Sequence, residues 1–433
     1  IPGDKIVKVD SVDVRGLKSD EVSKRLRGQA GTMVTVTVER PYAADSVKTF
    51  TIERQKVKEP SVPYFTVLND GIGYIRLTSF IDKSPREVKE ALESFQQTPG
   101  LKGIVLDLRG NGGGLLESAV DIVGFFVPKG TEVLRTKGKE KQLEKIYRTT
   151  RSPLFPDIPL AVLIDGGSAS ASEITAGSLQ DLDRAVLVGS RSFGKGLVQS
   201  TRPLPYDGIL KVTVGKYYIP SGRLIQALDY SHRNPDGSVA RTPDSLTNVY
   251  KTLHGREVRD GGGLQPDTTI NWGNVSALLY DLMKENKIFD YATKYVAHNP
   301  TAPVAEELVI TDEIYSDFKG DVAASKFESE KASEEILKQL RSTVEDEGYM
   351  NDAVKTQLDT LSTLLAHNLD ADLDAKRKEV GQYLAREILG RYYYDRGRLI
   401  QELKQDPGLD AARGILNNPD EYRKMLSAAK KEK

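Results

Sequence analysis

The sequence predicts an α/β protein: a layered core with at least a partly parallel sheet, preceded by a β-rich segment and followed by a helical region. Three observations carry this. Strand-like and helix-like segments alternate between residues 65 and 225, the order that builds parallel βαβ units. Before residue 58, apolar and polar residues alternate as on half-buried strands. After residue 274, apolar residues recur three and four apart, the spacing of a helix face.

In the first segment "KIVKVDSVDV" and "TMVTVTVER" alternate in strand fashion and "KTFTIERQKV" follows. Between them "SDEVSKRLRG" reads as a short helix closed by Gly28. The two prolines of "KEPSVPY" mark a boundary near residue 58. In the core, "IGYIRLTSF" is a strand. A helix then begins at Ser84, with Pro85 in its first turn and Glu87 completing a capping box. "LKGIVLDLR" is a buried strand that runs through "GNGGG" into the apolar helix "LLESAVDIVGFFV". "LAVLID" is the next strand and "SEITAGSLQDL" the next helix; "RAVLVG" and "LKVTVGKYYIP" are further strands. In such sheets a site forms beyond the carboxyl ends of the strands, where the glycine-rich segments and a serine cluster fall. In the last region Ile336, Leu340 and Val344, then Val354, Leu358, Leu361 and Leu365, and then "EVGQYLAREIL", keep helical spacing as far as a basic "KKEK" end.

The 433 residues exceed one ordinary core, and the boundaries read as 1–58, 59–273 and 274–433. A net charge of −1 gives no global field toward nucleic acid or anionic lipid. Apolar runs such as "IVGFFV" are far short of a membrane span. The absence of cysteine excludes disulfides, thiolate nucleophiles and cysteine-ligated zinc. The opening "IPGDKIVKVD" has no initiator methionine or signal peptide and reads as a processed or trimmed start.

The chemical question lies in "DGGSASASEI", where Ser168, Ser170 and Ser172 follow an apolar strand and precede a helix. Ser170 and Glu173 have capping-box spacing, which by itself needs only a structural serine. The same geometry exposes a serine hydroxyl above a sheet, with the amide of Ala171 free to meet an oxyanion. A second donor lies in "RGNGGG", whose glycines permit either close approach to a ligand or merely a tight turn.

No histidine lies within fifty residues of the cluster, and nothing marks His232, His254, His298 or His367 as a base. Lys195, between glycines in "GSRSFGKGLVQ", is the other option. A lysine serves as base only when neutral, and burial away from carboxylates favours that form. No acid occurs between Asp183 and Asp207. Gln199, four residues on, shares a face with Lys195 in a helix or a strand and offers an amide rather than a carboxylate. "GSRSFGK" also matches most of a phosphate-binding P-loop, but Gly196 stands where Ser or Thr must ligate magnesium. "NLDADLDAKRKE" fails as a calcium loop because Leu373 occupies the glycine position, so a capped helix is expected there.

In combination, "GSASASEITAGSLQDLDRAVLVGSRSFGKGLVQ", "GYIRLTSF", "LDLRGNGGGLLESAVDI", "KYYIPSGRLIQ" and "GGGLQPD" resemble, in order, the C-terminal processing peptidases, or tail-specific proteases. The resemblance covers about residues 1–270. It implies a Ser/Lys serine endopeptidase with a ClpP/crotonase-like core that cleaves protein substrates near their C-termini. Ser170 would be the nucleophile, Lys195 the base and Gln199 the group that orients it. The oxyanion hole would join Ala171 to Gly113, with Gly114 as the alternative donor. The family commonly has Asn-Pro-Gly-Gly where this chain reads Asn111-Gly112-Gly113-Gly114. Residues 1–58 resemble the later part of a PDZ domain, a module that captures peptide C-termini. No cofactor or metal is implied, and the expected partners are proteins or peptides with accessible C-termini. The expected location is the bacterial periplasm or cell envelope. For residues past 274 a homo-oligomer interface and substrate enclosure both stay open. The rival readings are a catalytically gated peptide-binding scaffold of the same fold and a nucleotide-binding enzyme using residues 189–196.

Overall fold

The computed structural model describes residues 1–57, 59–139, 144–233, 236, 238–329, 332–365 and 368–428, with the side chains of 231 and 232 excepted. His367, the basic end at 430–433 and the His232 side chain therefore lie outside the described residues. The chain divides into two compact units, residues 1–57 with 273–404 and residues 58–272 with 405–433.

In the first unit, β1 (Lys5–Val9), β2 (Val12–Asp13), β3 (Met33–Glu39) and β4 (Val47–Glu53) form an antiparallel sheet in the order β2-β1-β3-β4. Val9, Val34, Val36 and Val38 alternate inward, as period-two spacing requires, and pack with Val22 and Leu26 of helix α1 (Ser19–Leu26). Gly28 does not close this helix. Its C-cap is Arg27 in extended backbone, and the last carbonyls, of Arg25 and Leu26, accept instead from the Arg54 guanidinium at 3.1 and 2.8 Å.

The second unit carries the core. Strands β5 (Tyr64–Val67), β6 (Ile72–Arg76), β7 (Gly103–Asp107), β10 (Leu160–Ile164) and β11 (Val186–Gly189) join the short strand Thr268–Thr269 in a six-stranded sheet. β6, β7, β10, β11 and Thr268–Thr269 run parallel, and only the edge strand β5 is antiparallel. The buried strands are continuous apolar runs because both of their faces are covered. Helices α2 (Ser84–Gln96), α3 (Leu116–Val123) and α4 (Ala171–Asp181) follow β6, β7 and β10. A separate antiparallel sheet has the order β12 (Leu197–Pro203), β13 (Ile209–Tyr218), β8 (Glu132–Gly138), β9 (Lys145–Arg148), so "LKVTVGKYYIP" lies outside the parallel sheet.

The box expected at Ser84 is not formed. Lys83 is the N-cap, and Glu87 Oε2 instead accepts from Ser61 N, Ser61 Oγ and Val62 N at 2.7, 2.6 and 3.0 Å.

The helical region runs from α5 (Ala277–Lys284) and α6 (Lys287–His298) through α7 (Asp312–Ala324), α8 (Ala332–Asp346), α9 (Asp352–Leu365) and α10 (Leu369–Ala375) to α11 (Arg377–Leu403). Asn368 caps α10, and Leu373 is buried, as a capped helix requires. The expected region 274–433 is not one body. Its last segment, with α12 (Pro407–Leu416) and α13 (Pro419–Met425), belongs to the unit of the parallel sheet. Leu409, Ala412 and Leu416 bury one face of α12. The Tyr422 hydroxyl accepts from Leu160 N at 2.9 Å and donates to Arg184 O at 3.1 Å.

Candidate active site

The three segments singled out in the sequence leave the carboxyl ends of three neighbouring parallel strands: 109–114 after β7, 165–170 after β10 and 190–196 after β11. That shared end places them side by side.

Two of the three serines are structural. Ser168 Oγ donates to Leu108 O at 2.8 Å, and Ser172 Oγ donates to Asn111 O at 2.8 Å; both side chains are buried and bind the glycine-rich segment to the serine turn. Ser170 differs. Its backbone sits at φ 56°, ψ −114°, a conformation that L residues reach only under strain. The reciprocal arrangement of a capping box is present, with Glu173 Oε2 on the Ser170 amide at 2.9 Å. The Ser170 hydroxyl, however, faces the Glu173 amide without a hydrogen bond to it. The adjoining Ala171 opens α4, where the first amides have no intrahelical partner.

Glu173 contributes far more than a cap. Its buried carboxylate also accepts from Ser192 Oγ at 2.5 Å, Gly194 N at 2.7 Å and Lys195 N at 2.8 Å. Burial pushes its pKa up, against the hydrogen bonds from Ser192, Lys195, Gly194 and Ser170, which pull it down. One side chain thus pins the main chains of Ser170 and Lys195 to a common point. Tyr217, buried on β13, adds a second tie: its hydroxyl donates to the Lys195 carbonyl and lies 3.3 Å from the Ser170 carbonyl. Burial, then the nearby Glu173 charge, holds that phenol well above its usual pKa.

These contacts also bear on the nucleotide reading of residues 189–196. The amides of Gly194 and Lys195 are taken by the Glu173 carboxylate and that of Gly196 by Gln226 Oε1 at 2.7 Å, so none of these three is left to cradle phosphate. The expectation that acids stay away from Lys195 is corrected by the same carboxylate, which comes from another element. Lys195 is half-buried, and Gln199 is exposed on β12. Among the described residues no hydrogen bond joins Ser170 Oγ, Lys195 Nζ and the Gln199 amide. Lys195 lies two residues before β12, and the register shift beside Gln199 falls on the partner strand, where Val198 faces Gly215 and Gln199 faces Thr213. His254 Nδ1 lies 3.3 Å from Leu426 O, and His298 Nδ1 lies 2.8 Å from Lys294 O.

Gly113 lies against the serine turn at φ +95°; a Cβ there would meet Ala169 O at 2.6 Å, Ala171 N at 2.8 Å and Ser170 Cβ at 2.8 Å. Its N–H is directed to Asn111 Oδ1 at 2.9 Å. Behind the turn, Asp107 is wholly buried and meets Arg76, Arg109 and the Tyr74 hydroxyl at 2.8, 2.6 and 2.7 Å. Burial alone would raise its pKa, but Arg109 and Arg76 overcome this and hold it below the usual 3.8. A depressed carboxyl contributes stability that is complete above the unfolded pKa and is lost as pH falls through the folded one. Asp107→Asn should therefore cost about 3–5 kcal/mol at pH 7 by leaving buried guanidinium groups underpaired. It should also flatten the loss of stability below about pH 4. Urea denaturation at pH 7 and pH 3 tests this; equal losses at both pH values would refute the charge pairing.

Among the described residues no group of three or more metal-ligating side chains is found, and no helix is long and apolar enough to cross a membrane.

Comparison with known proteins places the core in a family. The model of "Peptidase family S41" matches residues 71–236, and that of "Probable PDZ-protease, C-terminal helical domain" matches residues 278–416. A "Carboxy-terminal-processing protease" of Bartonella bacilliformis is 40% identical over 263 residues, covering 60% of this chain and 59% of the relative. A "Probable CtpA-like serine protease" of Staphylococcus aureus is 33% identical over 341 residues, covering 78% of this chain and 66% of the relative. The chain thus spans about three-fifths to two-thirds of these relatives' length. Among solved structures, the photosystem II D1 C-terminal processing protease is 30% identical, over 62% of this chain and 63% of that one, with a TM-score of 0.38. The chain carries a peptidase family S41 domain over its parallel-sheet core and is a relative of the carboxy-terminal-processing serine proteases.

Proposed function

We propose that this chain is a serine endopeptidase that cleaves protein substrates near their C-termini through a Ser170/Lys195 dyad. One observation carries the reading: of three clustered serines, two spend their hydroxyls on the main-chain carbonyls of Leu108 and Asn111, while the third holds a strained backbone and a hydroxyl with no hydrogen bond among the described residues. A free hydroxyl at a strained strand–helix turn is what nucleophilic attack needs, and the contacts of Glu173 and Tyr217 with the Ser170 main chain hold that turn in place.

In this reading Ser170 Oγ attacks the scissile carbonyl. Lys195 accepts the proton and returns it to the leaving amine, and Gln199 orients the lysine. Ala171 N–H and Gly113 N–H stabilise the oxyanion. The Gly113 donor then exchanges Asn111 Oδ1 for the developing charge. The dyad closes to hydrogen-bond distance in the substrate complex, as catalytic contacts commonly do. The core is of the ClpP/crotonase kind, and residues 1–57 with their four-stranded sheet are the later part of a PDZ domain. The exposed ridge of Ile336, Leu340, Leu361 and Leu364 on α8 and α9 supports a homo-oligomer through the helical region. The location that the family resemblance implies is the bacterial periplasm or cell envelope.

A second reading is a gated peptide-binding scaffold, favoured by the missing hydrogen bond between Ser170, Lys195 and Gln199. Incubation with a loosely folded protein, followed by intact-mass spectrometry, separates the two. The peptidase yields fragments that accumulate with time from cuts near the C-terminus; binding without fragments would support the scaffold.

A further inference from the structure

The geometry points to Asp406 as a positioning residue for the glycine turn at 110–114, acting through Arg109 from the far end of the chain. This rests on the turn's role beside Ser170 in the proposed peptidase.

Arg109 immediately precedes the turn, and its guanidinium is shared between two carboxylates. Nε and Nη2 meet Asp107 Oδ1 and Oδ2 at 2.9 and 2.6 Å; Nη1 and Nη2 meet Asp406 Oδ1 and Oδ2 at 3.0 and 2.5 Å. Paired contacts on both sides of a planar fork fix its orientation as well as its place. The Trp272 ring lies 5.2 Å from the guanidinium carbon and covers it. Trp272 packs in turn on Gly408, where a Cβ would come within 2.5 Å of Trp272 Cη2. Arg109, Asp107 and Asp406 are all shielded from water, with side-chain exposures of 13%, 0% and 9%.

Two acids, Asp107 and Asp406, balance two guanidinium groups, Arg76 and Arg109. Removing the Asp406 charge leaves one largely buried cation in excess, and Arg109 is the group that loses one of its two carboxylate partners. Because Asp107 Oδ1 also accepts the Arg109 amide at 3.0 Å, a shift of the side chain disturbs the exit of the chain from β7. Gly110, next along, is held by Asp165 Oδ1 at 2.8 Å, the oxygen that also takes the amides of Gly167 and Ser168 before Ser170. Strain at Arg109 thus reaches both sides of the serine turn.

Asp406 has a second task that a purely structural account would credit instead. Its Oδ1 caps α12 through Gly408 N at 2.9 Å and Leu409 N at 3.0 Å. Asp406→Asn separates the tasks, since asparagine caps a helix as well as aspartate does but cannot neutralise a guanidinium. Three measurements compare it with wild type: hydrogen exchange of segments 110–114 and 407–416, steady-state cleavage of a peptide, and inhibition by a peptidyl aldehyde that forms a tetrahedral adduct. We expect faster exchange confined to 110–114, unchanged KM, and kcat and aldehyde affinity each lower by about tenfold, less than the ~10²–10³ of deleting an oxyanion donor. Asp406→Glu, which restores the charge, should recover part of both. Unchanged exchange at 110–114, or faster exchange only at 407–416, overturns the proposal and leaves Asp406 a helix cap. A wild type that cuts nothing refutes the peptidase reading, whereas the exchange arm decides the Asp406 link without activity.

Discussion

Ser170→Ala is expected to lower cleavage of a loosely folded protein by about 10⁴-fold or more, because the proposed dyad would act as a unit and its loss would remove the covalent route. Stability should change by no more than about 0.5 kcal/mol, since the lost hydroxyl makes no hydrogen bond. Lys195→Ala should fall to the same floor, and the double variant no lower, because a nucleophile without its base is as silent as a base without its nucleophile. The bland reading, in which Ser170 is only the cap of α4, predicts the reverse: intact cleavage and a stability loss of about 1 kcal/mol. Rates with matched melting curves tell them apart. Cleavage by Ser170→Ala above a tenth of wild type would place the nucleophile elsewhere. Loss in Ser170→Ala but not in Lys195→Ala would keep the serine and send the search for its base to another residue.

The strands of the parallel sheet were legible because burial on both faces demands unbroken apolar runs, and "GIVLD", "LAVLI" and "VLVG" stand out between glycine-bearing turns. Their carboxyl ends then pointed to the segments around Ser170, Lys195 and Gly113. What stayed hidden depends on closure between distant segments. Glu173 offered only a cap signal, three residues after a serine, and nothing local shows that its carboxylate also gathers Ser192, Gly194 and Lys195. Tyr217 reads as an ordinary apolar position of a strand, although its hydroxyl ties the main chains of Ser170 and Lys195. Glu87 misled for a related reason: the box was locally available, but three donors from 61–62 outweighed it. Helical periodicity marks α12 as a helix, yet it does not say which body it joins. The choice follows from Leu409, Ala412 and Leu416, and from the reach of Asp406 to Arg109.

Gly113→Ala is expected to cost activity by about 10²–10³-fold, the range for losing an oxyanion donor. Stability should fall by about 2 kcal/mol, from an L residue forced to φ > 0. The new methyl would strike Ala169 O at 2.6 Å and Ala171 N at 2.8 Å, both main-chain atoms that no rotamer change can clear. The turn must then move away from Ser170 or push the serine off its strained geometry, and either would spoil the proposed oxyanion site. Gly112→Ala is the matched control one residue earlier: a Cβ there meets nothing within 4 Å, so stability should hold within about 0.5 kcal/mol. Gly114 would be a poor choice, since its Cβ would lie 2.0 Å from Phe80 O and the variant would fail for reasons of folding. The pair 112 and 113 therefore isolates contact with the serine turn from backbone freedom in general. If both variants lose activity equally, the turn needs flexibility rather than proximity to Ser170, and Gly113 is not an oxyanion donor. If only Gly113→Ala loses it, with substrate affinity retained, the donor beside Ala171 lies where the serine geometry requires it.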